Sequence, residues 1–258
     1  MMLEISNLSF SYSKRPVLEN ISLSAKGGEF ISLLGANGSG KTTLFKSILG
    51  LLKIKSGSVS INGEELCAMS IKDRAKKTAY IPQETKQIFA YSVLSQVLMG
   101  CTANISTLSS PGEKETEIAL EALRTLGIEH LKDRNINALS GGERQLVLCA
   151  RALAGKAKCL LFDEPTASLD YGNQISVLST IYKLTKNGYL AIVSTHNVEQ
   201  ALNFSTRIVL LENKRITFNG TPEQLVNSDI LERFYSIPLS VIKHDGRYYI
   251  KPESIKDN

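Results

Sequence analysis

Residues 35–42 read Gly35-Ala36-Asn37-Gly38-Ser39-Gly40-Lys41-Thr42, and they follow directly on a buried-strand pattern running from Glu29 to Leu34. Glycines at both ends of such a segment let the backbone curl until its N–H groups face one point, where any side chain would block an approaching anion. Lys41 opens an amphipathic pattern that reaches about Leu49 and stops at Gly50, so a helix is expected there. That helix aims its partial positive end at the loop. The full spacing Gly-x4-Gly-Lys-Thr, placed between a strand and a helix, is a phosphate-binding loop. In it Lys41 neutralises β/γ-phosphate charge and the Thr42 hydroxyl can coordinate Mg²⁺.

The rest of the chain supplies strands for such a loop to sit on. Leu3 and Ile5 alternate with polar residues, as do Ile21, Leu23 and Ala25, which predicts two strands at the start. Ser58 to Ile61 reads as a strand closed by the hairpin signal Asn62-Gly63, and Thr78 to Ile81 as a strand stopped by Pro82. From about Ser92 to Leu153 the pattern turns helical, interrupted by the Ser/Thr/Pro/Gly-rich stretch 102–112. Ile118, Leu120, Leu123, Leu126 and Leu131 suit an amphipathic helix and its exit. Strands resume at Cys159–Phe162, Leu190–Ser194 and Arg207–Leu211, separated by helices, as in a parallel sheet with crossover helices. A last small hairpin is expected around Asp245-Gly246.

A magnesium site needs a second oxygen donor. Leu160-Leu161-Phe162-Asp163-Glu164 offers one where an apolar strand ends. Asp163 suits Mg²⁺, which keeps much of its water shell. Glu164 is placed to polarise an attacking water as general base.

Composition narrows the class. The 258 residues are 43% hydrophobic and 21% charged, enough for a globular core. The net charge of +5 is small and spread along the chain, which speaks against nucleic acid as a partner. No segment approaches the roughly 18 unbroken apolar residues of a membrane span, and Met1-Met2-Leu3-Glu4 does not read as a signal peptide. Cys67, Cys101, Cys149 and Cys159 form no C-x-x-C pair, and His130, His196 and His244 are scattered, so neither zinc nor a redox motif is expected.

At Leu139-Ser140-Gly141-Gly142-Glu143 the sequence resembles the signature motif of ABC ATPases, whose usual final residue is Gln. Ser140 also reads as the cap of a helix with Leu146, Ala150 and Leu153 on its apolar face. Further matches follow in order. Tyr12 resembles the aromatic that stacks on adenine, with Phe10 as the competing candidate. Gln83 resembles the glutamine that contacts metal and attacking water. Ser168-Leu169-Asp170 resembles the D-loop, and His196 the switch histidine that contacts the γ-phosphate. The resemblance spans about residues 2–235.

The resemblance implies an α/β fold: a P-loop NTPase (RecA-like) core with a mainly parallel sheet, an N-terminal antiparallel β subdomain and a helical insertion. Residues 1–84 and 156–240 would form the core, 85–155 the helical subdomain, and 241–258 a short β extension. It implies ATP and Mg²⁺ as cofactors. The expected catalytic set is Glu164, His196 and Gln83, with Thr42, Gln83 and Asp163 at the metal. Tyr12, Gly35 to Thr43 (including Ala36, Asn37, Gly38, Ser39, Gly40, Lys41 and Thr42), Ser140, Gly141, Gly142, Glu143 and Asp170 are expected at the nucleotide. The family arrangement is a head-to-tail dimer, with each ATP held between the phosphate loop of one copy and the Ser140 segment of the other. The other expected partners are integral membrane permease subunits and, indirectly, a substrate-binding protein. The expected place is the cytoplasmic face of a prokaryotic membrane. Residues 84–99, with Phe89, Tyr91 and Leu94, are expected to line the groove for the permease. The finer likeness is to importers of iron–siderophore, haem or cobalamin. Importers of molybdate or tungstate come second, and a soluble non-transport ABC ATPase is the further alternative.

Overall fold

The computed structural model describes residues 1–83, 90–106 and 110–253. In chain order, β1 (Met2–Tyr12) and β2 (Arg15–Lys26) form an antiparallel hairpin, followed by β3 (Phe30–Leu34) and α1 (Lys41–Ile48). β4 (Ser56–Ile61) pairs with the free edge of β1, and the short β5 (Glu64–Glu65) pairs with β4. Asn62 and Gly63 both have positive φ, as the tight turn between those two strands requires. In β1, Leu3, Ile5, Leu8 and Phe10 are buried; a register shift between Ile5 and Leu8 keeps the later apolar residues on the core face.

α2 (Ile71–Lys77) leads into β6 (Thr78–Ile81). Then come the helices α3 (Val93–Leu98), α4 (Glu113–Thr125) and α5 (Gly141–Ala154). β7 (Cys159–Asp163), α6 (Tyr171–Lys186), β8 (Leu190–Thr195), α7 (Val198–Phe204), β9 (Arg207–Glu212) and β10 (Arg215–Gly220) follow. The chain continues through α8 (Pro222–Val226) and α9 (Ile230–Tyr235) to the hairpin β11 (Leu239–His244) and β12 (Arg247–Pro252).

The central sheet has the order β10-β9-β3-β8-β7-β6, parallel except for β10. β3, β7 and β8 are buried along their whole length because both faces are covered. The pleat sorts their side chains. Ile31, Leu33, Cys159, Leu161, Leu190 and Ile192 pack with Leu44, Phe45 and Ile48 of α1 and with the β1–β2 sheet. Phe30, Leu160, Phe162, Ala191 and Val193 point the other way, into a core shared with α5 and α6. Asp163 and Ser194 continue the first parity, so both belong to the α1 face.

Two helical faces differ from the sequence reading. In α4 the buried residues are Ala119, Ala122 and Leu123, while Leu120 is only half-buried, because small residues let α4 approach α5 closely. α5 is buried on nearly every side, including Val147, Leu148, Cys149 and Ala152, while Leu146 is half-buried; α3, α4 and α6 all pack on it, so one stripe does not describe it. Burial pushes the thiols of Cys149 and Cys159 up to about 12, so both are inert core residues. β10 has only the half-buried Ile216 and Phe218 on its inner side, a weak pattern that the sequence reading passed over.

Candidate functional site: a nucleotide cleft

Sequence makes the loop after β3 by exclusion. A Cβ on Gly35 would stand 2.5 Å from Ser39 Oγ and 2.7 Å from the Leu211 carbonyl oxygen, so only glycine fits. Gly40, at the N-cap of α1, has φ 108°, a conformation other residues rarely adopt. α1 has no side-chain cap and no acidic residue in its first turn, so its own chain does not neutralise its positive end. Ser39 Oγ is buried with no hydrogen-bond partner among the described residues.

The buried Lys41 folds back along this loop. Its Nζ donates to the carbonyl oxygens of Gly35 at 2.8 Å and Ala36 at 3.2 Å, and lies 3.3 Å from Glu164 Oε1. Glu164 is held from several sides. Its N–H donates to Ser194 Oγ at 2.9 Å, and its Oε2 is 3.6 Å from Nδ1 of His196. Its φ is 45°, unusual for a residue with a Cβ and the kind of local strain found where a side chain must be aimed.

Directly below, Asp163 gathers three hydroxyls. Thr42 Oγ1 donates to its Oδ2 at 2.8 Å, Tyr80 to the same oxygen at 2.9 Å, and Ser194 Oγ to Oδ1 at 2.6 Å. Burial, then the charge of Asp163 and the hydrogen bond to it, raises the Tyr80 phenol above its ordinary range, so it stays protonated as a donor. The donor set is a hydroxyl and a carboxylate, all hard oxygen, which fits Mg²⁺.

A cleft of about 1040 Å³ opens over the loop and is lined by Tyr12, Gly40, Lys41, Thr42, Thr43, Gln83 and Glu164. The same wall includes Ala36, Asn37, Gly38 and Ser39. Tyr12 is exposed on this cleft, whereas Phe10 is buried core and meets the Tyr12 ring edge-on at 4.8 Å. Between the two aromatic candidates, Tyr12 is therefore the one available to a ligand. Arg15, Lys214 and Phe234 also line the cleft and were missed by the sequence reading. Tyr80 and Ser194 were missed as well, although their strand parity could have revealed them.

The remaining candidates lie elsewhere. Ser140 caps α5. Its Oγ accepts from the Glu143 N–H at 3.3 Å, and its own N–H donates to Glu143 Oε2 at 2.8 Å. Those bonds hold the Glu143 carboxyl below the usual carboxylate range, helped by Arg134 at 3.7 Å. Gly141 is exposed and Gly142 buried beside it. Asp170 caps α6 by accepting from the Asn173 N–H at 2.9 Å, which lowers its pKa. Neither Ser140, Glu143, Asp170 nor His196 reaches the wall of the cleft within this one chain.

A phosphate cradle at the carboxyl end of a central parallel strand, with an acidic pair on the next strand but one, defines a P-loop NTPase. The family model described as ABC transporter matches residues 18–167. The chain is 39% identical over 91% of its length, and 89% of the relative's, to an uncharacterized ABC transporter ATP-binding protein of Haemophilus influenzae. It is 37% identical over 97% of its length, and 99% of the relative's, to a protein of Helicobacter pylori 26695 named Probable iron chelatin transport ATP-binding protein. A solved structure described as "an inward-facing conformation of a putative metal-chelate type ABC transporter" superposes with a TM-score of 0.85 and 29% identity, covering 98% of both chains. The chain belongs to the ABC transporter family, as an ATP-binding subunit that hydrolyses ATP. Among the described residues no helix is long and apolar enough to cross a membrane.

Proposed function

We propose that this chain is the motor of an importer for a metal chelate, acting as a head-to-tail pair at the cytoplasmic face of a prokaryotic membrane. The observation that carries the paired site is the separation just described. Tyr12, Lys41, Thr42, Gln83 and Glu164 share one cleft, while the exposed Ser140 at the start of α5 is not part of its wall. A second copy completes the cleft with Ser140, Gly141, Gly142 and Glu143, and brings Asp170 to the interface.

In this reading the loop N–H groups and Lys41 hold the β/γ-phosphates, and Tyr12 stacks on adenine. Thr42 and Asp163, with Gln83, hold Mg²⁺, which when bound draws off charge developing on phosphate oxygens. Glu164 orients the attacking water and takes its proton, and His196 steadies Glu164 and the γ-phosphate. Catalysis is positioning plus charge stabilisation. Loss of the γ-phosphate removes the contacts that bridge the copies, and the pair reopens.

Residues 85–155 are, in this proposal, the part of the chain that meets the permease. Phe89 lies outside the described residues. Tyr91 is exposed, and Leu94 is half-buried against the helical core. The cargo assignment rests on the iron chelatin name of the Helicobacter relative and the metal-chelate transporter structure, and implies a substrate-binding protein as a further partner. The test is light-scattering chromatography of Glu164→Gln with ATP·Mg. A dimer that forms only with ATP supports the reading, and a monomer throughout removes it. Stimulation of ATPase activity by a ferric chelate, in vesicles holding the permease and its binding protein, tests the cargo.

A further inference from the structure

Both oxygens of Asp163 are occupied by donors from three different elements. Ser194 of β8 holds Oδ1 at 2.6 Å, while Thr42 of α1 and Tyr80 of β6 share Oδ2 at 2.8 and 2.9 Å. Strand geometry makes this meeting unavoidable. Asp163 lies opposite Ser194 in the β7–β8 ladder, and Tyr80 lies opposite Leu161, two residues back along β7. All three point to the α1 face, because Leu161 and Ile192 on the same parity pack there. The Tyr80 ring is half-buried against that core, where a phenylalanine would pack equally well. The hydroxyl is the part that packing does not require.

We propose that Tyr80 is a positioning residue for the magnesium site. Its phenol and the Ser194 hydroxyl pin opposite oxygens of Asp163, fixing the plane of the carboxylate that faces Thr42. Thr42, which shares Oδ2, is the group that would turn to the metal, and Tyr80 is then the hydroxyl left to hold that oxygen against Ser194 on the other. The same chain of hydrogen bonds runs on, because Ser194 Oγ also accepts from the Glu164 N–H at 2.9 Å. It therefore crosses β6, β7 and β8, the strands whose carboxyl ends bear Gln83, Glu164 and His196. Tyr80 is three residues before Gln83, so the Asp163 carboxylate and the glutamine loop are indexed to each other.

This inference rests on the reading of Asp163 and Thr42 as metal-site residues, and the experiment separates the two. Binding of a fluorescent ATP analogue to Tyr80→Phe, Asp163→Asn and the unchanged protein is measured in excess EDTA and during a Mg²⁺ titration. Removing a supporting hydrogen bond from a metal ligand's shell costs about 10-fold or more in metal affinity. Tyr80→Phe is expected to bind the analogue normally in EDTA, yet to need about 10-fold more Mg²⁺ for the half-maximal effect. Asp163→Asn is expected to shift at least as far. A normal Mg²⁺ titration for Tyr80→Phe beside a shifted Asp163→Asn overturns the role of Tyr80 and leaves the metal-site reading standing. Normal titrations for both overturn both. Equal weakening of Tyr80→Phe with and without Mg²⁺ marks a general disturbance of the loop and also overturns the proposal.

Discussion

Lys41 and Glu164 face each other across the floor of the nucleotide cleft, Nζ to Oε1 at 3.3 Å, with side chains only 6% and 15% exposed. The proposed phosphate ligand and the proposed general base thus belong to one ion pair. In the proposed mechanism, bound phosphate competes for Lys41 and leaves Glu164 to the water.

Glu164→Gln keeps the shape of the side chain and removes its basicity. Phosphate release is expected to fall by about 10²–10⁴-fold, the usual worth of a positioned base. ATP affinity, read by titration, is expected to hold or rise, because Lys41 loses a competing anion. Near-normal turnover would remove Glu164 from the base role.

Lys41→Ala deletes the only cationic side chain hydrogen-bonded to the loop's own carbonyls among the described residues. ATP binding is expected to be lost from the range reached by the unchanged protein. Tm without nucleotide should change much less than affinity. Unchanged affinity for labelled ATP would contradict the assignment.

Tyr12→Ala tests the stacking face. Base–aromatic stacking is worth about 1–3 kcal/mol, so ATP affinity should fall by about 5- to 150-fold. Tyr12→Phe should keep most of it. Inorganic triphosphate, which has no base, should bind all three proteins alike in a competition assay.

Glu143 gives a pH-dependent prediction. Its carboxyl is held below the ordinary carboxylate value by the Ser140 N–H and hydroxyl. A lowered folded-state pKa contributes stability that is present above the unfolded value and is lost as pH falls through the folded one. Glu143→Gln preserves the capping geometry but not the charge at the helix N-terminus, worth about 0.3–1 kcal/mol when exposed. At pH 7 the variant should melt slightly lower, and the gap should close below about pH 4.5. A gap that persists in acid would show that the charge is not its source.

Much of this was legible from residue order. The strand Glu29–Leu34, the loop and its helix followed from local rules, and the structure begins that strand one residue later, at Phe30. Asn62-Gly63 and Asp245-Gly246 form the turns their residue types demand, all four at positive φ. Tyr12 could not be separated from Phe10 in sequence, because both sit in one strand and only the third dimension shows which meets solvent. Lys214 and Phe234 reach the cleft from the β9–β10 turn and from α9, far along the chain, and no local pattern brings them there. Ala119 and Ala122 were overlooked in α4 because close helix packing favours small residues that a search for large apolar ones ignores.

The central claim is that one working site is built from Lys41 of one copy and Ser140 of another. It is tested most directly by mixing two inactive proteins, Lys41→Ala and Ser140→Arg, each first shown by thermal melting to be folded. A mixed head-to-tail pair has one site with both lesions and one site with neither. Phosphate release should therefore reappear on mixing, up to about a quarter of the unchanged rate, because half of randomly assorted pairs are mixed and each has one intact site. A mixture no more active than its two components would place Lys41 and Ser140 in the same chain's site and contradict the account.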